Sequence, residues 1–167
     1  REREEFVQAQ RSEITSSIEV IELAIEELET TVQQRFSQTF VQLTDEFSQL
    51  FPVLFPGGEA TLELTDANEP LDSGVEILVR LPGKQRQPMR LFSGGEKALT
   101  AIALIFALLK TKPTPFCFLD EVDAPLDERN VDRYNNLLAT LADRFQFIVI
   151  THRRQTMEAL DTLYGVT

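Results

Sequence analysis

The 167-residue sequence predicts an α/β protein, a parallel sheet with flanking helices, preceded by a long coiled-coil helix and a β-hairpin. Three observations predict it. Residues 1 to 50 contain neither Gly nor Pro and carry a helical apolar repeat. Residues 61–65 and 75–81 alternate as two strands do, with a turn-rich stretch over 66–74 between them. Two short apolar runs, 116–119 and 146–151, then flank an amphipathic helical pattern. Strand, helix, strand is the crossover unit of an α/β sheet.

In the first element, apolar residues fall at Ile14, Ile18, Ile21, Ile25, Leu28 and Val32, in steps of 4, 3, 4, 3 and 4. That is the seam of a coiled coil. Glu19, Glu22, Glu26, Glu27 and Glu29 form a solvated face beside it. A single amphipathic helix packed on a domain is the plainer alternative; the length and the polar N-terminal part favour the coiled coil. Beyond Val32 two successive steps of 4, through Phe36 to Phe40, make a stutter that unwinds a supercoil locally. The seam then turns aromatic, through Phe47, Phe51 and Phe55, as a helix entering a globular domain would. Pro52 and Pro56-Gly57-Gly58 are predicted to close the helix. The expected division is 1–50 as coiled-coil arm and helical entry, and 51–167 as a globular lobe.

Thr61–Thr65 alternates, and Val75, Ile77, Val79 and Leu81 share one face of a second strand. A loop is expected over 82–88. Residues 94–110 are apolar nearly all round, which predicts a largely buried helix. Phe116–Leu119 and Gln146–Thr151 read as strands buried on both faces, and 128–143 as an amphipathic helix between them. Ligands of such sheets gather at the carboxyl ends of the strands. Asp120-Glu121 and His152 both stand there.

Composition bounds the function. Sixteen basic against 27 acidic residues give a net charge of −11, which repels phosphate backbones, so this is not expected to be a main DNA-binding surface. The single cysteine, Cys117, excludes an internal disulfide and sits among apolar neighbours, as a buried thiol in a reducing compartment would. Neither a membrane-length apolar run nor a secretory or transit signal appears. The expectation is a soluble, cytoplasmic protein. The chain opens on Arg1 within a charged helical pattern, which reads as a fragment of something longer.

Three groups of residues could carry chemistry. Ser93-Gly94-Gly95-Glu96 precedes a helix, where Ser93 can cap and the free N–H groups can meet an anion. Asp120-Glu121 could hold Mg²⁺ through water and position a nucleophilic water. His152, the only histidine, could donate a hydrogen bond to a phosphate oxygen. Taken singly, each has a plain structural reading: a turn with its cap, acidic residues capping an exposed strand end, a structural histidine.

Their order says more. The tip at 93–96, an apolar helix, Phe116–Glu121, Asp123-Ala124-Pro125-Leu126-Asp127, a helix and Ile148–His152 follow in series. This series resembles the signature, Walker B, D-loop and switch-histidine motifs of ABC-type ATPases. Leu91–Ala101, Leu119–Ala124 with Leu126-Asp127, and Thr151-His152-Arg153 with Thr156-Met157-Glu158 narrow it. Together with the closing Tyr164-Gly165-Val166-Thr167, they resemble the bacterial-type SMC (structural maintenance of chromosomes) family. The resemblance covers essentially the whole chain. Two positions depart from it: Phe92 where Leu is common, and Pro125 where Ala is common.

The sequence lacks Gly-x-x-x-x-Gly-Lys-Ser/Thr; Gly83-Lys84 is followed by Gln85 and has no earlier Gly at that spacing. The resemblance implies that this loop lies in the N-terminal half of the head, and that this chain is the C-terminal half. It implies ATP and Mg²⁺ as cofactors, with Asp120 serving Mg²⁺ through water, Glu121 as general base and His152 on the γ-phosphate. It also implies that Ser93, Gly94, Gly95 and Asp127 serve ATP on a second head. Implied partners are the N-terminal half, a second head joined through ATP, a kleisin subunit, and DNA through the whole complex on the nucleoid. Another ABC-type ATPase, such as a DNA-repair relative or a transporter domain, and a non-catalytic kleisin-binding adaptor are the rival readings.

Overall fold

The computed structural model describes residues 2–165. The chain divides into two compact units, Arg1–Thr39 and Phe40–Thr167. Helix α1 (Glu2–Leu54) supplies all the regular structure of the first and opens the second.

In the first unit the predicted seam lies on the surface: Ile14, Ile18, Ile21, Ile25, Leu28 and Val32 are all exposed. Thr15, Ser17, Thr30 and Ser37 donate their hydroxyls to carbonyls four residues back, sharing the oxygens that accept their own helical N–H groups. A helix with an open aliphatic row gains little from burial and relies on its good helix formers.

The second unit begins where the aromatic seam finds a core. Phe47, Phe51 and Leu54 are fully buried, with Phe51 stacked on Phe55 at 4.4 Å. Burying each such side chain contributes about 1.5–3 kcal/mol. That burial explains why α1 runs through Pro52 to Leu54 rather than stopping there. Proline removes one bond, to the Ser48 carbonyl, but the aromatic face continues past it. Helix α1 ends as Phe55 N–H donates to Phe51 O at 2.8 Å, and Gly57 takes a φ of +77° that a side chain resists.

Strands β1 (Glu59–Leu64) and β2 (Val75–Arg80) form the expected antiparallel hairpin, in register from Glu59 opposite Arg80 to Leu64 opposite Val75. The loop expected over 82–88 ends in a short third strand, β3 (Gln87–Pro88), which pairs with β2. Helix α2 (Gly94–Thr111) follows. Leu99, Thr100, Ile102, Ala103, Phe106 and Ala107 bury one face of it. Ile105 and Leu108 stay exposed, so α2 is less enclosed than its composition predicts. Lys110 pairs with Glu46 on α1 in a partly buried contact.

Strands β4 (Phe116–Asp120) and β5 (Gln146–Ile150) are parallel, from Phe116 opposite Gln146 to Asp120 opposite Ile150. Helix α3 (Glu128–Leu141) crosses between them, and a short α4 (Arg154–Glu158) follows. Tyr134 of α3 stacks on Phe106 of α2, which meets Phe147 of β5 edge-on at 5.8 Å. The sheet faces differ sharply. Leu119 is buried and Cys117, Phe147 and Val149 pack partly against the core, whereas Phe118 is 62% and Ile150 50% exposed, with Phe116 and Ile148 beside them. The strands expected to be buried on both faces are therefore covered on one, because α2 and α3 pack on that side. Cys117 is half-buried rather than buried, and desolvation pushes its thiol pKa up.

Candidate functional site

Ser93 caps α2 from extended backbone, with φ −64° and ψ 162°. Its amide donates to Glu96 Oε2 at 3.0 Å and its hydroxyl to the same oxygen at 2.8 Å, while Glu96 N–H donates back to Ser93 Oγ at 3.4 Å. This is a full capping box. The Ser93 amide is the main reason that the Glu96 carboxyl titrates below its ordinary range. Partial burial opposes that effect, and the Ser93 hydroxyl and Lys84, 3.1 Å away, reinforce it. A Cβ on Gly94 would meet open space; one on Gly95 would lie 3.4 Å from the Pro125 carbonyl oxygen. The helix tip is thus open on one side and abuts the loop after β4 on the other.

Asp120 closes β4 with an exposed side chain. The next residue, Glu121, has a φ of +48°, the only positive value at a non-glycine position among the described residues. A side chain in that region carries strain of about 1–3 kcal/mol, held here by surrounding bonds. Glu121 N–H donates to Ile150 O at 2.8 Å, which extends the parallel pairing one step and turns the carboxylate off the strand. Glu121 Oε1 then lies 3.0 Å from His152 Nε2. The two predicted residues, 31 positions apart, form a pair at adjoining strand ends, and both are open to solvent.

Asp127 caps α3, accepting Asn130 N–H at 2.9 Å and Asn130 Nδ2 at 3.2 Å. Its carboxylate is therefore held at the end of the loop that touches Gly95. No hydrogen bond or ion pair among the described residues joins Ser93 to Asp120, Glu121 or His152. The tip and the acidic strand end are separate groups.

The structure gives contacts to motif residues for which the sequence suggested no role. Asp123 is 2% exposed and accepts the Thr151 hydroxyl at 2.6 Å and the Thr156 hydroxyl at 2.5 Å. Arg153 donates to the carbonyls of Ala124, at 2.9 Å, and Leu126. Nothing in the sequence foretells these contacts; the residues meet only once β4 and β5 pair. Among the described residues no three His, Cys, Asp or Glu side chains cluster as a metal site. Asp120 offers a single carboxylate, which suits Mg²⁺ only where phosphate oxygens and water complete the shell. Val166 and Thr167, cited above for the family resemblance, lie outside the described residues. No helix among the described residues is long and apolar enough to cross a membrane.

Residues 5–167 match the family described as the RecF/RecN/SMC N terminal domain. The chain is 51% identical over 165 residues to the chromosome partition protein Smc of Myxococcus xanthus, a match spanning 99% of this chain and 14% of that protein. Its fold resembles a solved chain from work on ATP-driven dimerization and DNA stimulated activation of SMC ATPases. There the TM-score is 0.74 and the identity 42%, over 80% of this chain and 81% of that one. It also resembles the Smc head domain of Pyrococcus furiosus with an extended coiled coil, bound to the C-terminal domain of ScpA. That likeness has a TM-score of 0.76 and 40% identity, over 92% of this chain and 39% of the other.

Proposed function

The chain belongs to the SMC family, and we propose that it is the C-terminal half of an SMC ATPase head, working in chromosome condensation and segregation. In this reading residues 1–50 are the coiled-coil arm and its entry, and 51–167 the C-terminal lobe. The carrying observation is the Glu121–His152 pair, 3.0 Å apart beside Asp120 at the ends of two parallel strands. A carboxylate with an imidazole at a strand end can take a proton from an attacking water and orient it. Bound MgATP would supply the phosphoryl group and the cation that neutralises its charge; Asp120 would hold that cation through water. Glu121 acts as general base, and His152 orients Glu121 and faces the terminal phosphate.

Ser93, Gly94 and Gly95 stand apart from that pair, which supports their service to a nucleotide on a second head. Asp127 would act there too, from the loop against Gly95. Each site is then composite, and ATP joins two heads. The chain spans 14% of the length of the Myxococcus relative, and the sequence contains no P-loop. The open face of Phe116, Phe118, Ile148 and Ile150 supports the need for a complementary half that continues the sheet and brings the P-loop. The exposed seam of Ile14–Val32 fits an antiparallel partner helix in the same way. A kleisin subunit is a further proposed partner, and DNA is engaged through the whole cytoplasmic complex rather than through this acidic chain.

Reconstitution tests the proposal. This chain alone shows no ATPase above background, and co-expression with the P-loop half of the same protein restores turnover. Turnover by the chain alone refutes the division of the site, and silence of the assembled head refutes the function.

A further inference from the structure

The loop between β4 and α3 is held partly by its own backbone and partly by a side chain from beyond β5. Its own amides are spent locally: Ala124 N–H donates to Glu121 O at 3.0 Å and Leu126 N–H to Asp123 O at 3.1 Å. Pro125 has no N–H. The carbonyls of Ala124 and Leu126 flank this proline, and one side chain, that of Arg153, donates to both. Both bonds leave one terminal nitrogen, Nη2, whose two N–H groups reach the carbonyls on either side of the proline. Arg153 is itself fixed, since its backbone N–H donates to Thr151 Oγ1 at 3.0 Å and that hydroxyl donates to buried Asp123. On the loop's other side, the Pro125 carbonyl oxygen lies 3.4 Å from where a Cβ of Gly95 would sit. The loop is clamped between the Ser93–Gly95 tip and Arg153, and Asp127 follows directly as the cap of α3.

We propose that Arg153 is a positioning residue that holds the Ala124–Leu126 loop in place for its action on the nucleotide of the neighbouring head. The inference rests on the composite-site reading above. It makes a distinction that sequence position alone would get wrong. Arg153 follows His152 in the chain, yet its side chain reaches away to the loop. Its effect is therefore exerted in trans, through the loop, and not in cis through His152.

Complementation between two impaired heads reads that direction. In complete heads, each containing both halves, Arg153→Ala lowers kcat by about tenfold to a hundredfold, the scale of a small misplacement, with KM for ATP little changed. Glu121→Gln heads are inactive through loss of the base. In a mixed dimer, the site whose Glu121 comes from the Arg153→Ala head receives an intact loop from the Glu121→Gln head. Mixing the two variants therefore restores turnover from one of the two sites. No restoration on mixing places Arg153 in cis and overturns the proposal, as does full kcat in the Arg153→Ala homodimer. Arg153→Met keeps the aliphatic stem but has no donor for either carbonyl, and it replaces the alanine variant in both measurements if that variant melts below assay temperature. Ser93→Ala, which removes the hydroxyl without adding bulk, mixed with Glu121→Gln is the control. If the control is not rescued either, the composite reading itself fails, and the Arg153 proposal falls with it. Rescue in the control without rescue by Arg153→Ala overturns the Arg153 proposal alone.

Discussion

Asp123 is the most exacting place to test how the strand ends are held. Its Oδ2 accepts two hydroxyls, from Thr151 at 2.6 Å and from Thr156 at 2.5 Å, and Thr156 is fully buried. Hydrogen bonds to a charged acceptor contribute about 1.5–3 kcal/mol each. Asp123→Ala loses both, but Thr151 is only partly buried and water can replace its partner. Thr156 has no such replacement, and a buried orphan hydroxyl costs about 1–3 kcal/mol. The expected loss is about 3 kcal/mol. With a urea dependence of about 2 kcal/mol/M, the unfolding midpoint of the assembled head falls by about 1.5 M. Thr156→Val in the same background removes the orphan and returns about 1 kcal/mol, so the double variant is less destabilised than the sum of the singles. A midpoint shift below about 0.3 M, or strict additivity of the two changes, would refute the account of Asp123 as the anchor of the Thr151–Arg153 segment.

Glu121→Gln in the complete head keeps the shape and removes the proposed base. Hydrolysis slows by about 10²–10⁴-fold while ATP-driven dimers accumulate in sedimentation, and normal turnover would take Glu121 out of that role. Phe118→Asp alters a residue already 62% exposed in this chain. The melting of this chain then changes little, within about 0.5 kcal/mol, while co-elution with the P-loop half is lost; unchanged co-elution would show that the open sheet face is not the joint. Glu96 has a lowered folded pKa, set first by the Ser93 amide. A lowered carboxyl pKa gives stability that is full above the ordinary value of 4.5, and it is lost as pH falls through the folded value. Glu96→Gln should therefore melt earlier than the parent at neutral pH and converge with it in acid; parallel melting curves across that range would deny the capping box its charge.

The sequence carried the local geometry well and the long-range contacts poorly, for reasons visible in particular residues. Ser93 with Glu96 three positions later announces a capping box, and the structure forms one. Alternation over 61–65 and 75–81 announces the hairpin. By contrast, Asp123 meets Thr156 across 33 positions, and only the register of two parallel strands brings them together. Arg153 gripping two loop carbonyls leaves no sequence pattern at all, because backbone carbonyls are present at every position. The misread strands are more instructive. Phe116-Cys117-Phe118-Leu119 is apolar at every residue, which is the signature of a strand covered on both sides, yet one side is open here. In the proposed half-head, such a pattern records burial against the other half, which this chain cannot supply itself. The same holds for Ile14 through Val32, whose spacing asks for a partner helix, and for Ile105 and Leu108 on α2. Residues that the pattern marks as buried and the structure leaves exposed thus outline the surface on which the proposed complementary half would pack, and in the sheet that outline runs up to Asp120 and Glu121, the strand ends assigned above to the proposed nucleotide site.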